Sequence, residues 1–204
     1  MKTQIRIVSG LLRGRRINCN VHPGLRPTPD MVREALFSIL GNAVPGRPFV
    51  DIFAGTGVVG MEAVSRGASA VTFVERDVRS AGEIEAHLRE FGVADRATVA
   101  RADVYRWAER WAAPPEPVNV FFSPPFADFS RRPEEFLALV ERVRDKVAPE
   151  SVVVVQGERD ALKDHEAAFA GWDVRRYGRN ELLLWVKEAG QPAGLEDVAD
   201  APPS

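Results

Sequence analysis

The sequence predicts an α/β fold: a mostly parallel sheet of seven strands with helices on both faces, preceded by an N-terminal β-hairpin. Three observations predict it. From residue 48 onward, short apolar runs alternate with segments of helical period, the pattern of parallel strands buried on both faces. A glycine-rich turn joins the first of these strands to the next helix, as in sheets that hold ligands beyond their strand ends. The stretch WDVRRYGRNELLLWVK breaks the alternation with two strands around a short turn near Gly178 and Asn180, so an antiparallel pair closes the sheet.

The elements follow in order. QIRIVSG alternates apolar and polar residues and GRRINCN follows after a glycine turn, which reads as a hairpin with arginines on one face, within an extension over residues 1–24. GLRPTPD is a breaker cluster. Thr28 or Asp30 is then expected to cap the helix MVREALFSILG, whose Val32, Ala35, Leu36, Ile39 and Leu40 form an apolar stripe and whose Gly41 is a stop. Strands are expected at FVDIF, AVTFVE, RATVA, VNVFF and SVVVVQ, and helices near 58–66, 78–91, 103–111, 133–147 and 159–170. Together they form one domain over 25–188. The tail 189–204 is rich in Pro, Ala, Gly and acid and lacks aromatics, so it is expected to be disordered.

The chain has 204 residues, 45% hydrophobic and 27% charged, enough for one sizeable core. No window is apolar over the length a membrane helix needs, and MKTQIRIVSG lacks the apolar centre of a secretory signal. A cytoplasmic protein without membrane contact is expected. The single Cys19 suits a reducing compartment. His22, His87 and His165 are scattered, each most simply a surface or hairpin residue, and no metal is expected. Charge is unevenly spread: residues 1–33 carry seven basic side chains against Asp30, whereas the remainder carries twenty against twenty-eight acids. A basic end on an acidic body fits a polyanionic partner approached from one side, or a solvated terminal arm.

DIFAGTGVVGMEA holds Gly55, Gly57 and Gly60 as a literal G-x-G-x-x-G between strand and helix. Such glycines permit a tight turn and close approach of backbone to ligand. Glu75 ends the next strand, 20 residues after Gly55, where a carboxylate accepts from ribose hydroxyls. These features fit a nicotinamide dinucleotide and equally S-adenosylmethionine. Asp51, just before the loop, repels a pyrophosphate but suits an ammonium group. Asp103, after the third strand, is placed to accept from an adenine amine, or to cap the next helix. Phe53, Thr56, Arg76 and Val104 flank these positions as further cofactor candidates.

The fourth strand ends in Ser123-Pro124-Pro125-Phe126. Strand ends in open α/β sheets face the ligand crevice. A base amine is a poor nucleophile because its lone pair is delocalised into the ring. Acceptors for its two N–H groups let it pyramidalise: the Ser123 side chain is one and a neighbouring carbonyl another. Proline fixes φ and adds no competing donor. Phe126 would stack on a base drawn out of its helix or loop. A plain strand-ending turn with a core Phe is the alternative.

RIVSGLLRGRRI, LRPTPDMVREALFSIL, VDIFAGTGVVGMEAVSRGASAVTFVERD and FFSPPF together resemble the bacterial small-subunit ribosomal RNA guanine-N2 methyltransferases of the RsmD type, from about Arg6 to Lys187. The resemblance implies a class I methyltransferase (Rossmann-like) fold, S-adenosylmethionine as donor, a guanine of 16S rRNA in the small ribosomal subunit as acceptor, and a monomer. It implies that Arg6, Arg13, Arg15, Arg16 and Arg26 meet RNA, and that the segment with Arg26, Thr28 and Arg33 packs over the cofactor pocket. The family usually has Asp-Pro-Pro-Tyr where this chain has Ser-Pro-Pro-Phe, and commonly an aromatic in the hairpin turn where this chain has Leu12. Three other readings compete: a ribosome-assembly protein that binds cofactor without catalysis, a nicotinamide-dependent oxidoreductase, and a methyltransferase acting on a protein glutamine amide.

Overall fold

The computed structural model describes residues 2–20, 27–161 and 163–189. Nine strands and six α-helices are seen there: β1 Lys2–Arg6, β2 Arg16–Asn20, α1 Asp30–Leu40, β3 Phe49–Ile52, α2 Val58–Ser65, β4 Val71–Glu75, α3 Val78–Glu90, β5 Ala97–Arg101, α4 Val104–Arg110, β6 Asn119–Phe122, α5 Phe126–Arg131, α6 Pro133–Lys146, β7 Val152–Glu158, β8 Asp173–Tyr177 and β9 Asn180–Val186. The large sheet has the order β5-β4-β3-β6-β7-β9-β8, and β1 and β2 form a separate antiparallel hairpin. Strands β3 to β7 are parallel, while β9 runs antiparallel to both β7 and β8. The predicted α/β architecture, its closing antiparallel pair and its leading hairpin are all present.

Alternate side chains of each strand enter opposite cores. Phe49, Phe121, Val154 and Leu184 pack under α1, α2 and α3 with Leu36, Met61 and Ile84. Ile52, Phe122, Val153 and Val155 pack under α4, α5 and α6 with Ala108, Phe129, Phe136 and Leu139. Each fully buried aromatic or branched aliphatic side chain contributes about 1.5–3 kcal/mol. Both faces being apolar explains why β6 and β7 read as unbroken apolar runs.

Three expectations need correction. Neither Thr28 nor Asp30 caps α1: Pro29 holds the N-cap position without a side-chain bond, the Thr28 hydroxyl bonds Gln156 instead, and Asp30 is the first helical residue. The helix expected at 159–170 is a short 3-10 segment, Lys163–Phe169, broken at His165. It buries only Phe169 there, too little to hold an α-helix down. Conversely, a short helix, α5, starts immediately after the two prolines. The tail from residue 190 and the segment 21–26, with His22 and Arg26, lie outside the described residues.

The hairpin is docked rather than free. Ile5, Ile7, Leu12, Ile17 and Cys19 are buried in the α1–α2–α3 core. Val8 and Ser9 N–H donate to the Glu62 carboxylate, both at 3.1 Å, and Leu12 N–H donates to Ser65 Oγ at 2.8 Å. His87, expected at the surface, is buried on α3. Its Nε2 accepts from Asn18 N–H at 3.1 Å, on the edge of β2 that faces away from β1 and has no further strand. Arg33 is 0% exposed. Its Nη2 donates to Arg6 O at 2.9 Å and its Nε lies 3.7 Å from Glu62, itself fully buried. One ion pair therefore joins α1, α2 and the hairpin. Arg66 Nη2 also holds Glu62, at 2.9 Å, so Arg33→Ala removes one of its two cations and leaves Arg6 O and Thr28 O without their donor. It is expected to cost about 1–3 kcal/mol, read as a lowered urea midpoint with an unchanged slope.

Candidate active site

Order in the sheet reverses between β3 and β6, the switch point at which α/β sheets open a crevice beyond their strand ends. A cavity of about 710 Å³ lies there, within the range of small-molecule sites. Its wall includes Thr28, Asp51, Phe53, Gly55, Thr56, Glu75, Arg76, Asp103, Val104, Ser123, Pro124, Pro125 and Phe126. All the cofactor candidates except Gly57 and Arg33 thus share one space with the Ser-Pro-Pro-Phe turn.

The turn after β3 is strained. Phe53 has φ of 64°, with Gly55 at 55° and Gly57 at 73°, and a left-handed phenylalanine costs on the order of 1–3 kcal/mol. Gly57 is not part of the cavity wall. A Cβ on it would stand 2.7 Å from Ile84, and one on Gly60 would stand 2.2 Å from the Phe73 ring. These two glycines let α2 lie against α3 and β4. Three of the loop N–H groups are already used. Gly55 N–H donates to Glu75 Oε2 at 2.8 Å, Gly57 N–H to Ala54 O at 2.7 Å and Gly60 N–H to Asp51 Oδ2 at 2.9 Å. A pyrophosphate would find none of these donors and would face two carboxylates. The arrangement suits a cationic ligand rich in N–H and O–H donors instead.

Three carboxylates stand at the ends of three successive strands. Asp51 is 2% exposed. Burial pushes its carboxyl up to about 8, against the lowering effect of the Gly60 N–H and with an added push from Glu75. Glu75 also accepts from Asp77 N–H at 2.8 Å, so its carboxylate is oriented from two sides. Asp103 caps α4, accepting on Oδ1 from Tyr105 N–H at 3.1 Å and Arg106 N–H at 3.2 Å. Both bonds fall on one oxygen, leaving the lone pairs of Oδ2 for a further donor.

At the end of β6, Ser123 N–H donates to Ile52 O at 3.3 Å. Ser123 Oγ has no hydrogen-bond partner among the described residues. Phe126 is 39% exposed and lines the cavity rather than the core. Arg33 stands apart from the cavity wall, spent on Arg6, Asp30 and Glu62. Arg6, Arg13, Arg15 and Arg16 are all exposed on the hairpin. Arg15 lies over the Phe91 ring at 5.7 Å and Arg16 donates to Gln4 at 3.0 Å. Leu12 is buried in the hairpin turn, and the apolar side chain presented to solvent there is Leu11, 70% exposed.

Comparison with known proteins places this geometry. Residues 5–186 match the family model described as conserved hypothetical protein 95. The ribosomal RNA small subunit methyltransferase D of Escherichia coli K12 is 35% identical over 191 residues, 91% of each chain. The chain belongs to this RsmD family. The solved yhhF protein of Escherichia coli superposes with a TM-score of 0.72 at 28% identity, covering 91% of this chain and 99% of its own. An S-adenosylmethionine-dependent O-methyltransferase from Thermotoga maritima, at 10% identity, covers 82% of this chain and 68% of its own with a TM-score of 0.63. It shares the class I methyltransferase fold.

In this RsmD-family chain the cavity also includes residues that sequence reasoning missed. Asp128, 3% exposed, accepts from the Tyr105 hydroxyl at 2.8 Å and from Arg132 Nε at 3.1 Å. Burial, then the Asp128 carboxylate, raises the Tyr105 hydroxyl well above its ordinary range. Arg132 stacks over the Tyr105 ring at 4.3 Å. This cluster ties α4 to α5 beside the Ser-Pro-Pro-Phe turn. Its only signal was an acid two residues past Phe126. Gln156 and Asn180 line the far side. A polar residue closing the run VVVVQ was the signal for Gln156. Among the described residues no group of three His, Cys, Asp or Glu is placed to hold a metal, and no helix is long and apolar enough to cross a membrane.

Because the folded value for Asp51 lies above that of the unfolded chain, its contribution is fully present below about pH 4 and is lost as pH rises through about 8. Asp51→Asn removes this dependence. Native stability relative to the variant is expected to fall by up to roughly 1.4 kcal/mol per pH unit between those limits, measured by urea unfolding across pH.

Proposed function

We propose that this chain transfers a methyl group from S-adenosylmethionine to the exocyclic N2 amine of a guanine in 16S rRNA of the small ribosomal subunit, acting as a cytoplasmic monomer. One observation carries the reading: Ser123 and Phe126 line the same cavity as Asp51, Gly55 and Glu75. The name of the Escherichia coli K12 relative supports the substrate, and the exposed hairpin arginines supply a surface for its phosphates.

The chain's groups fit that cofactor. Asp51 faces the ammonium of the methionine moiety, and a cation there stabilises its ionised form. Glu75, held by Gly55 and Asp77, accepts from the ribose hydroxyls. Asp103 Oδ2 accepts from the adenine amine beside Val104, with Phe53, Thr56 and Arg76 closing the site around it. When bound, S-adenosylmethionine supplies a methyl group on cationic sulfur and departs as a neutral thioether. Phe126 stacks on the extruded guanine. Ser123 Oγ accepts one amine N–H, so the nitrogen lone pair turns out of the ring. The alkylated nitrogen is cationic and sheds its proton to water without a dedicated base. Thr28 covers the cavity from the N-terminal side, and Arg33 serves by fixing the segment to which Thr28 belongs. Arg26, also proposed to meet RNA, lies outside the described residues.

Ser123 favours a second reading, a cofactor-binding assembly protein of weak or no activity. A neutral hydroxyl gives a bond roughly half as strong as a carboxylate does. Incubation with labelled cofactor and 16S rRNA or small subunits lacking the mark separates the two. The native chain is expected to label guanosine, and Ser123→Asp to do so about tenfold to a hundredfold faster. Label from the variant alone supports the second reading, and no label from either, with S-adenosylhomocysteine bound, refutes the first. Replacing Arg13, Arg15 and Arg16 together by Ala is expected to weaken RNA binding and to flatten its slope of log affinity against log salt by about 2, with cofactor affinity unchanged.

A further inference from the structure

Resting on that reading of the site, we infer that Gln156, locked by Thr28, reads the ring nitrogen next to the reacting amine and thereby selects guanine over adenine and cytosine. The sheet register brings the residues together. Phe122 pairs with Val155 across the parallel strands β6 and β7, so one step further along both chains Ser123 stands beside Gln156. Side chains two apart on a strand share a face. Ser123 therefore shares the face of Phe121, and Gln156 that of Val154, both part of the same core.

Gln156 is 8% exposed and Thr28 5%, yet both line the cavity. A buried amide must be satisfied or it costs stability. The Thr28 hydroxyl donates to Gln156 Oε1 at 2.8 Å, and Gln156 Nε2 donates to Asn180 Oδ1 at 3.5 Å. In this arrangement the amide oxygen faces Thr28 and the nitrogen faces Asn180. Each end keeps spare capacity: a second lone pair on Oε1 and a second hydrogen on Nε2. No other step of methyl transfer uses them.

The three bases that carry an exocyclic amine differ at the adjoining ring nitrogen. Guanine presents N1–H, a donor, followed by O6, an acceptor. Adenine and cytosine present a bare ring nitrogen, an acceptor. With the amine on Ser123, an amide in the observed orientation accepts from guanine N1–H and donates to O6. The same amide would set Oε1 against the lone pair of adenine N1 or cytosine N3. The Ser-Pro-Pro-Phe turn activates any base amine; the neighbouring amide distinguishes among them. Asn180 holds the amide from the other side, and Thr28 reaches it from the segment ahead of α1. Thr28, on the cofactor side of the cavity, thus also sets the orientation of the group that reads the acceptor.

The test compares 16S rRNA carrying guanine with 16S rRNA carrying 2-aminopurine at the nucleotide that takes the label. The analogue keeps the amine but lacks N1–H and O6. The native chain is expected to favour guanine by at least tenfold to a hundredfold in kcat/KM, the discrimination of one bidentate pair. In Gln156→Ala that preference is expected to shrink to within about threefold, with S-adenosylhomocysteine affinity unchanged. Thr28→Val, which frees the amide to rotate, is expected to shrink it partly, so a misfolded Gln156→Ala does not end the test. An unchanged guanine preference in both variants overturns the assignment of Gln156 while leaving methyl transfer intact. Absence of transfer to either RNA by the native chain, with S-adenosylhomocysteine still bound, overturns the underlying reading itself.

Discussion

Parallel pairing between β3 and β6 sets the distance between the two halves of the cavity. Its last rung is the Ser123 N–H bond to Ile52 O at 3.3 Å. Beyond that rung the two chains diverge: one enters the strained turn through Phe53, the other meets two prolines. Neither can continue the sheet, since Pro124 and Pro125 have no N–H to give and Phe53 has left the β region. A crevice opens between them with a buried carboxylate on one wall and an uncommitted hydroxyl on the other. Were β6 longer by one regular residue, the turn would be lifted away from Asp51 and the two walls would no longer face one space.

Helix α2 transmits this geometry to the rest of the molecule. Every one of its eight residues is buried. At its start, Gly57 and Gly60 permit contact with Ile84 and Phe73, and Gly60 N–H meets Asp51. At its other end, Glu62 and Ser65 hold the backbone of the hairpin through Val8, Ser9 and Leu12. The same helix is thus the floor of the ligand loop and the seat of the N-terminal extension.

Much of this was legible in the sequence. Apolar runs located β3, β6 and β7, because strands buried on both faces leave no room for polar alternation. β4 and the half-buried β5 were legible from the strand–helix rhythm, and β8 and β9 from the short turn between them. The glycine turn and the acids at strand ends located one wall of the cavity, and the prolines the other. Roles decided by tertiary partners were hidden. Arg33 looked like a group facing a ligand; burial beside Glu62 makes it a structural cation. His87 looked like a surface residue, yet its ring fills the backbone gap at Asn18. Tyr105, Asp128 and Gln156 carried no motif, since what matters in each is a bond to a residue on a different element. The segment near 159–170 had enough apolar residues to suggest a helix, but too few on one side to bury it.

The seating of the hairpin on α2 and α3 has an evolutionary corollary. Its inner face is apolar and its backbone amides are satisfied by Glu62, Ser65 and His87, so it is not a portable module. Grafted onto another pair of helices without those three side chains, it would expose Ile5, Ile7 and Ile17 and leave amide groups unmet. Removed from α2 and α3, it would uncover the apolar side chains it covers and take two N–H donors from Glu62. Hairpin and cavity are therefore inherited together, and divergence in one constrains what the other can become.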